Sequence, residues 1–133
     1  MNLIYRTDDQ SLTAEAFLGL AQRVWPGQYS IDYTREALRR TLNSTAWDGT
    51  LLVGCVRVLT DGYFFGTIPE ILVDPAYQRK GVGRRLMELA WEQSPTSLFF
   101  GVQAGNEGFF EKMGFERSLT AYARRKPRRS SEP

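Results

Sequence analysis

The sequence contains no histidine and a single cysteine, Cys55. Without histidine there can be no Ser-His-Asp triad, no Cys-His pair and no imidazole metal ligand. One cysteine excludes an intrachain disulfide and a cysteine-only zinc site. No metal is expected. Cys55 stands in the apolar run "LLVGCVRV" and reads as a small core hydrophobe rather than a reactive thiol. No apolar run approaches the roughly 20 residues that span a bilayer, so no membrane partner is expected. The opening "MNLIYRTDDQ" lacks a basic stretch followed by an apolar one. No signal peptide is expected, and the expected compartment is the cytoplasm. Any chemistry falls to carboxylates, tyrosines, lysines, backbone groups or a bound small molecule.

What is present suits one domain. A chain of 133 residues, 42% hydrophobic and 24% charged, can bury one core. The net charge of +2 hides an asymmetry. The end, "RRKPRRSSEP" from Arg124 to Pro133, holds five cations and one anion, which leaves residues 1–123 at −2. A basic end can bind nucleic acid or an acidic surface. The simpler reading is a domain over residues 1–123 and a solvated, disordered tail over 124–133, with no nucleic-acid partner expected.

Periodicity supplies the elements. "NLIYR" reads as a short strand. A helix is expected from Ser11, with Phe17, Leu20, Ala21 and Val24 on one face, stopped by Pro26-Gly27. Asp32 is the expected cap of a second helix bearing Ala37, Leu38 and Leu42. Asp48-Gly49 and Asp61-Gly62 are two-residue hairpin signals between "STAW", "TLLVGCVRVLT" and "YFFGTIPEILV". Pro69, inside the third strand, cannot donate to a ladder, so a bulge or splay is expected there. A third helix carries Val82, Leu86, Leu89 and Ala90 on one face. "SLFFGVQ" is a strand, "NEGFFEKM" a short helix closed by Gly114, and "FERS" and "LTAYARR" are short final strands. The order is βααβββαβαββ. The fold class is α/β (α+β), with a mixed, mostly antiparallel sheet of about seven strands, splayed in the middle and flanked by about four helices.

The stretch "QRKGVGRR", Gln78 to Arg85, puts two glycines and four cations between an apolar strand and a helix. It is not a nucleotide P-loop, which needs G-x-x-x-x-G-K-[ST]. It lacks the third glycine of the dinucleotide fingerprint. A Q-x-x-G-x-G turn opening a helix remains. Gly81 and Gly83 let backbone N–H groups converge on an anion, and the helix N-terminus adds partial positive charge. Arg79, Lys80 and Arg84 add ionic contacts. The bland alternative is a glycine-rich turn with solvated arginines.

With "ILVDPAYQRKGVGRRLMELA" and the later "GNEGFFEKMGFERS", the chain resembles the GNAT superfamily of acyl-CoA-dependent N-acyltransferases over nearly its whole length. The resemblance implies that the anion is the pyrophosphate of coenzyme A, and that acetyl-CoA is the acyl donor. It implies binding by Gln78, Arg79, Lys80, Gly81, Val82, Gly83 and Arg84. Backbone groups of Ile71, Leu72 and Val73 would hold the pantetheine arm like an added strand, in a gap between the strands ending at Val73 and Val102. A backbone N–H near Leu72 would polarise the thioester carbonyl. From the second signature, Asn106, Phe109, Phe110 and Lys112 are carried over as cofactor-binding positions, although the segment from Asn106 to Phe110 is shorter than the common form.

Attack by an amine needs a base. Glu70 is the candidate, as base or amine ligand, because it is the only carboxylate between Asp61 and Asp74. It is expected to share a strand face with Ile68 and Leu72, near Phe64, a partly dry setting that suits a base. The alternative is a carboxylate paired with an arginine such as Arg57. Many relatives use a tyrosine to protonate the leaving thiolate, but Phe110 stands at that position here. Tyr122 and Tyr63 are the remaining acid candidates, Tyr122 carried as a weak one. In the family fold the segment "VWPGQYSIDY" walls the acceptor site, where Trp25, Tyr29 and Tyr33 could frame a pocket. The implied reaction is direct acetyl transfer from acetyl-CoA to a primary amine of a small-molecule or peptide acceptor. A non-catalytic acyl-CoA-binding or sensing module is the alternative, favoured by Phe110. Homodimers are common among relatives.

Overall fold

The computed structural model describes residues 2–96, 99–101, 107–118 and 122–129. Strand β1 is Ile4–Arg6, β2 Leu42–Asp48, β3 Leu51–Thr60, β4 Gly66–Val73 and β5 Phe99–Gly101. Helix α1 is Ala14–Val24, α2 Ile31–Arg39, α3 Val82–Gln93 and α4 Glu107–Lys112, and a 3-10 turn covers Pro75–Tyr77. The strands form one sheet in chain order. β1 to β4 pair antiparallel, and β4 pairs with β5 parallel.

The sheet has a helix layer on each face. Phe17, Leu20 and Ala21 of α1 and Leu38 of α2 bury against Leu52, Cys55 and Leu72. On the other face Val82, Leu86, Met87 and Ala90 of α3 bury against Ala46, Val53, Val56, Val58 and Ile68. The apolar periodicity of both long helices therefore marks their sheet-facing sides. Gly54 lets α3 approach β3 closely. A Cβ there would lie 2.9 Å from both Leu86 Cδ1 and Val82 Cγ1.

Several boundaries differ from expectation, each for a local reason. Thr13, not Ser11, opens α1, its side chain accepting from the Ala16 N–H at 3.1 Å. Ser30, not Asp32, caps α2, accepting from the Tyr33 N–H at 3.2 Å. Asp32 instead binds Arg35 one turn on, at 2.9 Å. Asp48-Gly49 does turn a tight hairpin, with Gly49 at φ 60°. Asp61-Gly62 does not, because the Asp61 carboxylate accepts from the N–H groups of Tyr63, Phe64 and Phe65 and organises a longer link.

The described residues contain five strands, not about seven. "FERS" is not a strand, since the Phe115 N–H turns back to the Phe110 carbonyl at 3.0 Å. The Phe115 ring then packs with Trp91, Phe99 and Phe110. Of "LTAYARR", residues 119–121 lie outside the described residues, and 122–125 form no strand. No helix among the described residues is long and apolar enough to cross a membrane.

Candidate active site

The site is built on β4. The register to β3 shifts between the pairs Leu59↔Thr67 and Arg57↔Glu70, so β4 carries one extra residue around Pro69. Proline has no N–H to give, and the bulge accommodates it. A bulge also flips the side-chain alternation. Ile68 buries on the α3 face, whereas Leu72 buries against α1. Glu70 thus shares its face with Leu72 but not with Ile68, which corrects the simple period-two reading. Phe64 does not shelter it either, being 72% exposed at the strand link.

On its far side β4 meets β5 only at Gly66↔Phe99, Thr67↔Phe100 and Ile68↔Gly101. Beyond Pro69, no described strand pairs with that edge of Glu70 to Val73. Val102, expected to end the facing strand, lies outside the described residues, as does Asn106.

Backbone directions along this edge follow from two hydrogen bonds. The Asp74 N–H donates to the Val53 carbonyl of β3 at 2.8 Å. Across a trans peptide, the Val73 carbonyl then points away from β3. It accepts from Gln78 Nε2 at 3.2 Å. Within a strand, N–H groups alternate sides. The N–H groups of Ile71 and Val73 therefore face the gap, and that of Leu72 faces β3, opposite Cys55. The Leu72 amide, expected to polarise the thioester, is thus turned into the β3 ladder, and the Ile71 amide is turned to the gap.

Arg57 and Glu70 face each other across β3 and β4. Arg57 Nε donates to Glu70 Oε1 at 2.7 Å, and Arg57 Nη2 donates to the same oxygen. Both side chains are mostly buried, at 18% and 17% exposure. Glu70 Oε2 makes no hydrogen bond within the described residues. The guanidinium also lies 5.9 Å over the Phe17 ring, which ties the pair to α1. The arginine pairing weighed as the alternative to a base is present, and among the described residues it leaves one oxygen to meet another group. Cys55, two residues before Arg57 on β3, is fully buried. Burial, helped by the Glu70 charge, pushes its thiol up to about 12, which fits a packing role.

Asp74 anchors the end of β4. It is buried, caps the 3-10 turn by accepting from the Ala76 N–H at 2.9 Å, and binds Arg23 Nε of α1 at 2.6 Å. Arg23 also donates to the Leu52 carbonyl at 2.6 Å. These two residues hold the strand end to α1, and sequence reasoning gave them no role. An aspartate directly before proline was the available cue, since it often caps a turn.

The turn then enters the glycine loop. Arg79 has φ 63° and Gly81 φ 84°. Reversals of this kind turn successive N–H groups inward. Gly81 is the N-cap of α3, and no side chain caps the helix. The Gly81 carbonyl accepts the Arg85 N–H at 3.0 Å, leaving the amides of the first turn without a helical partner. No acidic residue lies in that turn. Arg79, Lys80 and Arg84 are exposed, and none is ion-paired among the described residues. Cations at a helix N-terminus oppose the dipole. Uncapped amides and unpaired cations together make a place for an anion, and Gly83, already within α3, keeps its approach open.

Phe110 packs tightly on Gly101 at the end of β5, where an added Cβ would lie 2.1 Å from the Phe110 ring. Its centroid is 5.7 Å from that of Phe109. Both rings are half-buried at the edge of the α3-side core, while Lys112 is exposed at the end of α4.

Residues 44–117 match the family model described as an acetyltransferase (GNAT) domain. The chain belongs to the GNAT acetyltransferase family. Acetyl transfer from acetyl-CoA to amines is the general reaction of that family. Among solved structures, a GNAT-family acetyltransferase from Streptococcus pneumoniae superposes with TM-score 0.77 at 25% identity, covering 94% of this chain and all of that one. The aminoglycoside acetyltransferase AAC(6')-Iy, bound to the bisubstrate analogue CoA-S-monomethyl-acetylneamine, superposes with TM-score 0.73 at 16% identity over 96% and 99% of the two chains, a likeness of fold. A histone acetyltransferase of Glycine max, TAP1, is 31% identical over 60% of this chain and 36% of its own length. GCN5-related N-acetyltransferase 2 of Arabidopsis thaliana, a chloroplastic protein, is 37% identical over 49% of this chain and 27% of its own. The match thus spans about a third of the length of these curated relatives.

For a GNAT protein, two expected roles need attention. The side chain of Tyr122, the weak acid candidate, is 94% exposed. Tyr63 is 71% exposed in the β3–β4 link and is no better placed. Trp25 ends α1, Tyr29 lies in the segment joining α1 and α2, and Tyr33 lies in the first turn of α2. The Tyr29 hydroxyl donates to the Trp25 carbonyl at 2.7 Å. Trp25 is 46% exposed, and the two tyrosines are half-buried.

Proposed function

We propose that this chain transfers acetyl from acetyl-CoA to a primary amine, by direct attack of the amine on the thioester. One observation carries the reading: an edge of β4 that has no partner among the described residues, with the Ile71 and Val73 amides turned outward, leads straight into the uncapped, cation-rich start of α3. A donor with an amide-bearing arm and a diphosphate matches both in that order. Val73 would pair with the arm as a strand would. The Ile71 N–H would donate to the thioester oxygen as charge develops there. The uncapped amides from Val82 to Arg84, with Arg79 and Lys80, would hold the diphosphate.

Glu70 is the base or the ligand of the incoming amine. Arg57 fixes one carboxylate oxygen, so the other, Oε2, is the one presented to an ammonium or to a water that relays its proton. With phenylalanine at position 110, the departing thiolate takes its proton from water, a modest demand because a thiolate is a fair leaving group. The acceptor wall is Trp25, Tyr29 and Tyr33, and the acceptor is a small amine or a peptide.

Thiol release with a panel of amines tests this, together with calorimetric titration of CoA. Turnover that collapses in Glu70→Gln while CoA affinity holds is the expected result. Phe110 and the exposed Tyr122 favour a second reading, a module that binds acyl-CoA without turning it over. Tight CoA binding with no thiol release from any amine, unchanged in Glu70→Gln, would select it.

A further inference from the structure

The basic tail is not free of the domain. Arg128 lies with its guanidinium carbon 5.1 Å from the centroid of Tyr29, and Arg129 lies 4.4 Å from that of Tyr33. Both distances fall within the range of cation–π attraction. Two consecutive arginines thus meet two aromatic rings of one short segment. The segment is held in place by its own bonds. Gln22 of α1 grips Gly27 twice, donating to its carbonyl at 2.6 Å and accepting from its N–H at 3.1 Å. The Tyr29 hydroxyl is committed to Trp25, and the Tyr33 backbone to Ser30. The Tyr29 ring is therefore anchored at its hydroxyl, and Tyr33 sits in the capped first turn of α2. The tail residues 122–129 adopt no regular structure and are exposed.

We infer that Tyr29 and Tyr33 form a docking site for arginine-rich segments, which this chain fills with its own tail. Planar guanidinium groups suit ring faces better than compact ammonium groups do. The opposite charge of the two parts, +4 against −2, favours the same contact. A tether of this kind holds a weak contact closed by effective concentration, and an outside segment of similar chemistry must displace it. One consequence rests on the acetyltransferase reading above. Lys126 lies two residues before Arg128, so a basic segment docked here brings a primary amine beside the acceptor wall.

The test does not need that reading. A fluorescein-labelled peptide of residues 122–133, "YARRKPRRSSEP", is titrated into the full-length chain and followed by anisotropy. It is expected to bind the Arg128→Ala/Arg129→Ala chain about five- to thirtyfold more tightly than the parent, because the internal competitor is weakened. These substitutions lie in an exposed segment outside the core, so the domain stays folded. In a chain that also carries Tyr29→Leu and Tyr33→Leu, the tight binding should vanish. Equal affinity for the parent and the arginine variant overturns the inference, as does absence of peptide binding to both. So does binding that survives loss of the tyrosines. If CoA binds and the peptide does not, the docking site fails and the acetyltransferase reading stands. If the peptide binds as expected and CoA does not, the docking site stands and the acetyltransferase reading fails.

Discussion

Along one edge β4 is laddered to β3 from Gly66 opposite Thr60 to Val73 opposite Gly54, interrupted by the bulge around Pro69. Along the other it meets β5 across three residue pairs and then has no described partner. The same eight residues thus serve two purposes. The β3 edge supplies stability, with Cys55, Val56 and Leu72 fully buried beside it. On the β5 edge the Ile71 and Val73 N–H groups have no partner among the described residues, and unpaired main-chain groups are what an extended ligand can use. Pro69 marks the point where one behaviour gives way to the other.

Substitutions can break this contrast from either side. The largest expected effect is Glu70→Gln, which should lower kcat/KM by about 100-fold or more, the usual yield of a positioned base, while calorimetry finds CoA affinity unchanged. Gly83→Val comes next. A Cβ at Gly83 meets only Val73 Cγ2, at 3.8 Å, so the helix should form. The branched side chain should instead obstruct the anion, weakening CoA binding about tenfold by calorimetry with little change in Tm. An equal loss of Tm and affinity would mean that the open edge and the laddered one are not separable. Gly54→Val attacks the laddered side. It should cost about 1–3 kcal/mol in urea unfolding, because α3 must back away from β3.

The smallest effect is a control far from β4. Asp9 is buried, and burial raises its pKa. Hydrogen bonds from the Ser11 hydroxyl, Thr45, Trp47 and the Ser11 N–H outweigh burial and hold the carboxyl below its ordinary range. A lowered folded-state pKa stabilises above the unfolded value and is lost as pH falls through the folded one. Stability should therefore decline below about pH 4, and Asp9→Asn should flatten that decline at a cost of about 1 kcal/mol near neutral pH. A chemical-denaturation series against pH reads both.

Much of this was legible in the residues. The helix faces were, because Phe17, Leu20, Leu86 and Ala90 recur at helical spacing and are buried. The glycine loop was, because Gly81 occupies a left-handed position that other residues seldom take. The unread parts depend on distant partners. A period-two pattern misplaces the face of Glu70, because a bulge adds a residue without changing that pattern. Which amides of β4 face the gap was unreadable for a related reason, since ladder parity is fixed by the bond from Asp74 to Val53, remote in sequence. Tyr122 is an acid candidate by residue type alone, and residue type carries no information about where the chain leaves it. The contact of Arg128 and Arg129 with the α1–α2 segment joins residues about 100 apart, beyond the reach of any local signal.

The missing side chain at Gly54 has a consequence for which donors can be used. Because Val82 and Leu86 rest directly on that residue, the start of α3 sits at a set height above the sheet, and Val73, opposite Gly54, shares the reference point. On the acetyltransferase reading proposed above, the protein would work as a caliper, with one jaw on the diphosphate and the other on the thioester. A carrier with a shorter arm, such as N-acetylcysteamine, could close only one jaw at a time, and its acyl group should transfer far more slowly than the one borne by coenzyme A.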